Sequence, residues 1–164
     1  KLGGRIYRVP RFKLYNLSAY KKALEKFFAE HHEFKAVHGH MTSTASIYLP
    51  IARKAGIPVT IAHARSAGVD KGIKGVITKI LRKPIVDRVD YCFTCSTEAA
   101  LAVFGQNNVK RGRVITIPNA IDVTPFRYQE DVREKMRNSL GVEDKFVIGH
   151  VGRFHYAKNH EYLL

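Results

Sequence analysis

Tryptophan is absent from this sequence of 164 residues, and cysteine and methionine occur only twice each. Two cysteines, Cys92 and Cys95, are too few for a disulfide scaffold, so the sequence does not read as a small secreted fold and a reducing cytoplasm is the expected compartment. No apolar run approaches the roughly 18 residues of a membrane span, and no secretory leader is legible, so it does not read as an integral membrane protein either. Acidic residues are scarce: 14 Asp and Glu stand against 28 Lys and Arg, a formal net charge of +14. Such an excess attracts phosphate, whether on nucleic acid, anionic lipid or a nucleotide. Hydrophobic residues at 45% and charged residues at 26% are globular values that argue against disorder. The length suits one domain, or one domain with part of another, and buries enough surface to need no disulfide or metal staple.

Arg5 to Val9 alternates with period two before Pro10, as a short strand does. Leu17, Tyr20, Leu24, Phe27 and Phe28 share one face of a helix expected from Asn16 to His31, with Asn16 or Ser18 as candidate caps. The short apolar run Ala36-Val37 ends at His38-Gly39-His40. A helix from Thr42 or Ser43 to Ala55, with Pro50 inside it, closes at Gly56. Val59 to Ala62 reads as a buried strand ending at His63, and a helix is expected over Gly75 to Val86. Val89 to Thr94 is the next strand, followed by a helix that Ser96 caps and Gly105 closes. Val114 to Ile117 is a strand ending in Pro118-Asn119. Val132, Met136 and Leu140 mark a helix ended by Gly141, and Phe146 to Val151 reads as a last buried strand before a helix from Asn159. Short apolar strands alternating with helices predict an α/β, Rossmann-like parallel sheet with helices on both faces.

Open parallel sheets bind ligands outside the carboxyl ends of their strands. The residues expected there are His38 and His40, His63 and Arg65, Ser96, Asn119 and Arg153. Any one of these histidines can be an ordinary loop residue. On spacing alone His38, His40 and His63 lack the carboxylate or cysteine that would complete a metal-ligand set, so no metal is expected. Cys92 and Cys95 have a redox or zinc spacing, but no second pair follows and two buried thiols are the simpler reading. Ser96 lacks a nucleophile-elbow setting and reads as a helix cap. In Gly149-His150-Val151-Gly152-Arg153, glycine permits close approach of a ligand. Arg153 and Lys158 ahead of a helix N-terminus would suit a diphosphate. The basic stretch 65–88, with Lys71, Lys74, Lys79, Arg82, Lys83 and Arg88, contains no aromatic residue. It therefore suits an anionic lipid surface better than nucleic acid.

Val114-Ile-Thr-Ile-Pro-Asn-Ala-Ile-Asp122 followed by Phe126, and His150-Val-Gly-Arg-Phe-His-Tyr-Ala-Lys-Asn159 followed by Leu163-Leu164, resemble two segments of glycosyltransferase family 4, which has the GT-B fold. Val37 to His40, Ala62-His63 and Phe93 to Ala100 fit that family's intermediate landmarks in order and spacing, and the nearest flavour is the exopolysaccharide or capsular polysaccharide transferases. The resemblance implies retaining, metal-independent transfer of a sugar from a nucleotide-diphospho-sugar, with UDP the habitual carrier, to a lipid-linked or polysaccharide acceptor. The nucleotide sugar is a substrate, and no cofactor is implied. Arg153 and Lys158 match the pair that neutralises the departing diphosphate, and His40 matches the histidine that faces the donor sugar. His63, Arg65 and Ser96 would line the acceptor side.

The resemblance also implies a domain layout. Residues 1–144 correspond to the N-terminal, acceptor-side domain without its first strand–helix units, and 145–164 to the first strand and loop of the donor domain. The glycine-rich loop and the later glutamate pair are not in this sequence, so the 164 residues alone are expected to be inactive. Ala120 stands where the family has glycine. The orphan strand 146–151 is expected to pair with a sheet edge or another copy of the chain. The location implied is cytoplasmic, peripheral on the inner face of the membrane through 65–88. Two other readings remain open at this stage: a basic nucleic-acid-binding α/β domain, and a GT-B sugar-nucleotide epimerase.

Overall fold

The computed structural model describes residues 3–68 and 72–164. The chain divides into two compact units, Lys1–Ala120 and Ile121–Leu164. The first contains α1 (Leu17–Glu30), β1 (Ala36–Gly39), α2 (Thr42–Lys54), β2 (Val59–Ala64), α3 (Ile73–Arg82), β3 (Tyr91–Thr94), α4 (Thr97–Phe104), α5 (Gln106–Lys110) and β4 (Val114–Thr116). The second contains α6 (Glu130–Leu140) and the single-turn α7 (His160–Leu163).

The four strands form one parallel sheet in the order β1-β2-β3-β4, with Gly39 opposite Ala62, Ala64 opposite Thr94, and Thr94 opposite Thr116. This is the α/β, Rossmann-like architecture expected from the alternating pattern. Strand order steps one way, so right-handed crossovers carry α2, α3 and α4 to the same side of these four strands. Burial agrees. Thr60, Ala62, Ala64, Cys92 and Thr94 are buried beneath the helices. The alternate residues Ile61, Tyr91, Phe93 and Ile115 occupy the more open face, where Tyr91 and Ile115 are each 48% exposed.

Helix α2 is the centre of the unit. One side places Ala45 and Leu49 in the cluster with Ala62, Ile85, Cys92 and Phe104, and another places Ile47 and Ala52 against Tyr20, Leu24 and Phe28 of α1. A helix buried on two sides has few positions for charge, which accounts for the apolar Ile47-Tyr48-Leu49-Pro50-Ile51-Ala52 run. Pro50 sits in its third turn without ending it. Asp90 clamps the start of β3 to β2 and α2. Its carboxylate accepts the Thr60 N–H at 2.8 Å, the Thr60 hydroxyl at 2.7 Å and the Arg53 guanidinium.

Helix ends follow local chemistry where a cap is available. Ser96 accepts the Ala99 N–H at 3.2 Å, and Gly141 ends α6 at φ +64°, a conformation that costs glycine little. Helix α2 differs from expectation: its N-cap position is Met41, with no side-chain cap, and Thr42 lies inside the first turn. Asn16, at the α1 N-cap position, instead accepts the Lys13 N–H at 2.7 Å.

Two expected strands do not form. Among the described residues, 5–9 find no ladder partner. Tyr7 packs its ring against Phe27, His31 and Phe34, while Ile6 is left 89% exposed. Residues 146–151 are likewise irregular, with Phe146 93% exposed. A strand is stabilised by its neighbours, and an apolar run without them has nothing to complete its hydrogen bonds.

Candidate functional site at the carboxyl edge of the sheet

The strand register brings three histidines together on the open face. His63 of β2 lies two residues beyond Ile61, the partner of His38, so the two side chains share a face. Their rings stack nearly parallel, 5.0 Å apart, and His38 Nε2 and His63 Nδ1 are 2.9 Å apart in a hydrogen bond. His40, just past β1, places its ring 4.4 Å from His38 and 5.2 Å from His63. Phe93 on β3 stands perpendicular to both His38 and His63. The enclosure leaves His63 only 6% exposed, and its Nε2 is buried without a hydrogen-bond partner among the described residues.

This setting favours neutral imidazoles. Burial lowers the pKa of His38, with His40 and Arg65 adding repulsion. Burial is also the main cause for His63, reinforced by His38, His40 and Arg65. The Arg65 guanidinium is fixed from across the sheet: its Nη2 donates to Asn119 Oδ1 at 2.8 Å. Residues 65 and 119 thus meet although 54 positions apart, and Asn119, just past β4, orients a cation at the mouth of the site. His40, Thr42, Ser43, Arg65, Ser66 and Arg82 line a cleft of about 200 Å³ there. The first turn of α2, uncapped by any side chain, opens onto it. Backbone N–H groups and cations on one cleft favour an anionic group.

Gly39 has a steric reason to be where it is. It faces α2, and a Cβ there would overlap the Tyr48 hydroxyl. Burial raises the Tyr48 phenol to about 12, so it stays protonated, and it bonds the Met41 backbone in the loop that follows His40. Tyr48 therefore supports the end of β1 at His38-Gly39-His40 from the helix side.

The other candidates lie apart from this cluster in role or in unit. Ser96 follows β3 at the same edge, and its side chain is engaged as the α4 cap. Cys92 and Cys95 are free thiols; burial pushes Cys92 up to about 11, which leaves it protonated and unreactive near neutrality. In the second unit Arg153 and Lys158 are both exposed, and the Lys158 stem passes beside Gly152. The helix beyond them, α7, is a single turn and supplies little dipole. Within the basic stretch, Arg88 is committed to the Ser46 carbonyl at 3.0 Å, and Lys71 lies outside the described residues. Lys74, Lys79 and Lys83 remain exposed on or just after α3, beside an exposed apolar stripe of Ile73, Val76 and Ile80. Among the described residues no helix is long and apolar enough to cross a membrane.

Comparison with known proteins gives the edge its context. The family model of the glycosyl transferase 4-like domain matches residues 1–120, the whole of the first unit. The chain is also 30% identical over 167 residues to the Bacillus subtilis (strain 168) protein named "Putative glycosyltransferase EpsF". That alignment covers 99% of this chain and 44% of the relative, so the chain spans less than half of the relative's length. No solved structure matches. The site therefore lies inside the matched region, and the chain belongs to the glycosyl transferase 4-like family.

Proposed function

We propose that the protein carrying this chain is a retaining, metal-independent glycosyltransferase that moves a sugar from a nucleotide-diphospho-sugar, UDP the favoured carrier, to a lipid-linked or polysaccharide acceptor. In this reading residues 1–144 form most of the acceptor-side domain, and 145–164 begin the donor domain. The observation that carries the reading is the meeting of His40, His63 and Arg65 at the carboxyl edge of a parallel sheet, within the segment matched to the family.

The chemistry divides among named groups. His40 is exposed at the cleft, placed to hydrogen-bond a sugar hydroxyl at the reacting end of the donor. Arg65, held by Asn119, and the first turn of α2 receive an anionic group of the acceptor. His63 is buried behind them and positions His38 and His40, and Ser96 fixes the start of α4. Arg153 and Lys158 neutralise the diphosphate as it leaves, which is charge stabilisation where charge develops. The apolar stripe and lysines of α3 rest on an anionic membrane surface at the cytoplasmic face, each cation adding about 1 kcal/mol near such lipid. Residues 146–151 pair with a sheet edge, in the whole protein or in a second copy.

The test uses the full-length protein, a panel of nucleotide sugars and a membrane-lipid extract as acceptor source, with release of nucleoside diphosphate as readout. Release from one donor, abolished by Arg153→Ala, is the expected result. Turnover unaffected by that substitution would remove Arg153 from the donor site. No turnover with any donor in the presence of the extract would contradict the reaction.

A further inference from the structure

A cavity of about 520 Å³ in the first unit plays no part in holding His40 or Arg65: a groove between the segment before α1 and the α2–α3 pair. We propose that this groove seats the hydrocarbon chain of a lipid-phosphate acceptor, whose phosphate then lies in the cleft beside Arg65 and His40. The inference rests on the sugar-transfer reading and deepens it, selecting the lipid-linked acceptor over the polysaccharide one.

The lining is the first argument. Phe12, Leu14, Ile77 and Leu81 give the groove apolar walls, and its volume falls within the roughly 300–1,000 Å³ usual for small-molecule sites. Leu14 is 63% exposed, so this wall is open to a ligand and not closed into the core. Arg11, Lys13 and Lys74 line the groove as well, and among the described residues no carboxylate does. Apolar surface flanked by cations complements a molecule that is hydrocarbon at one end and anionic at the other.

The second argument is that both walls are fixed. Asn16 accepts the Lys13 N–H at 2.7 Å and donates from Nδ2 to the Arg11 carbonyl at 3.0 Å, while Phe12 rests on Tyr20 of α1 with ring centroids 5.4 Å apart. Across the groove, the Ser46 hydroxyl of α2 donates to the Leu81 carbonyl of α3. Walls held by such bonds need little ordering when a ligand enters.

Continuity with the cleft is the third. Ser43 lines both cavities; its neighbour Thr44 and Leu81 belong to the groove, and Thr42 and Arg82 to the cleft. A chain in the groove therefore brings its polar end past Ser43 to Arg65, Arg82 and the first turn of α2, a setting suited to phosphate. Ile73, Val76 and Ile80, exposed on the helix that supplies Lys74 and Ile77, place the groove beside the surface proposed to meet the membrane, from which a lipid would enter.

The experiment titrates the full-length protein by calorimetry with octyl, decyl and dodecyl phosphate, each below its critical micelle concentration. A buried methylene is worth about fourfold in affinity, so each step up this series should strengthen binding by about tenfold. Thr78→Trp, which fills the groove, and Leu14→Asn, at an exposed position, should flatten that dependence. Leu101→Asp, exposed on α4 and outside the groove, should leave it unchanged. Equal affinities across the series in wild type would overturn the proposal, since charge alone would then hold these ligands. So would a dependence on chain length that survives in both groove variants with circular dichroism intact, which would place the chain elsewhere. Nucleotide release from the donor panel is read separately. Turnover with a flat series contradicts the groove and keeps the reaction, whereas a steep series without turnover keeps the chain in the groove and contradicts the reaction.

Discussion

His38-Gly39-His40 in the first unit and Gly149-His150-Val151 in the second both follow an apolar run, yet they end in different states. His38 stacks on His63 from the neighbouring strand, 25 residues away, and Gly39 accommodates Tyr48 of α2. His150 finds a local ring partner, lying edge-on to His160 at 4.7 Å, while Val147, Ile148 and Val151 stay exposed. The same residue types become a site only where other strands hold them. The first unit has those strands. In the second, α6 forms because a helix satisfies its own backbone, while the strand-like run beside it does not form.

That contrast is broken most severely by truncation in the two places. Leu49→Ala, at a fully buried position of α2, is expected to cost about 2–5 kcal/mol in chemical denaturation of the 164-residue chain. Phe146→Ala should cost no more than about 0.5 kcal/mol in the same chain. Equal effects would show that residues 146–151 are held as firmly as the core.

Gly39→Ala sharpens the comparison at the site. The added methyl must displace the Tyr48 hydroxyl, an overpacking expected to cost about 1–3 kcal/mol, whereas Ala at open Gly149 meets nothing. Tyr48→Phe should recover part of the loss, which a thermal-melt double-mutant cycle would read.

Asp90→Ala leaves the fully buried Thr60 without its carboxylate partner and is expected to cost about 1–3 kcal/mol. Bonds from Thr60 and then Arg53 hold the Asp90 pKa below its ordinary value. The folded pKa is therefore the lower one: the stabilisation is complete above the ordinary carboxylate range and is lost as pH falls through the depressed pKa. Acid denaturation of Asp90→Ala should accordingly begin from a lower plateau and show a shallower fall over that range.

Ser96→Ala gives the smallest effect. Loss of the cap should cost about 1 kcal/mol of stability while leaving the turnover of the full-length protein near wild type. A large loss of turnover with stability retained would instead place Ser96 in contact with substrate.

Much of the first unit is legible in sequence because its signals are local. The apolar face of α1, the Ser96 cap and the Gly105 and Gly141 stops each depend on residues within a few positions of one another. Parallel strands separated by helices also place His40, His63 and Arg65 at one edge without further information. What sequence could not supply depends on register. The His38–His63 bond, the Arg65–Asn119 bond and the Asp90–Thr60 clamp join residues 25, 54 and 30 positions apart. No spacing rule announces them, and a shift of one residue in strand pairing would turn His38 away from His63. The expected strands at 5–9 and 146–151 fail for the converse reason: their apolar patterns are clear, but among the described residues neither joins a ladder.

The central claim, that the carboxyl edge of the first unit carries sugar-transfer chemistry through His40, is tested most directly by the kinetics of His40→Ala in the full-length protein. The account predicts a fall in kcat of about 100-fold or more with the fold intact by circular dichroism, as befits loss of a group acting on the transition state. A kcat equal to wild type would contradict it and move the chemistry away from this edge.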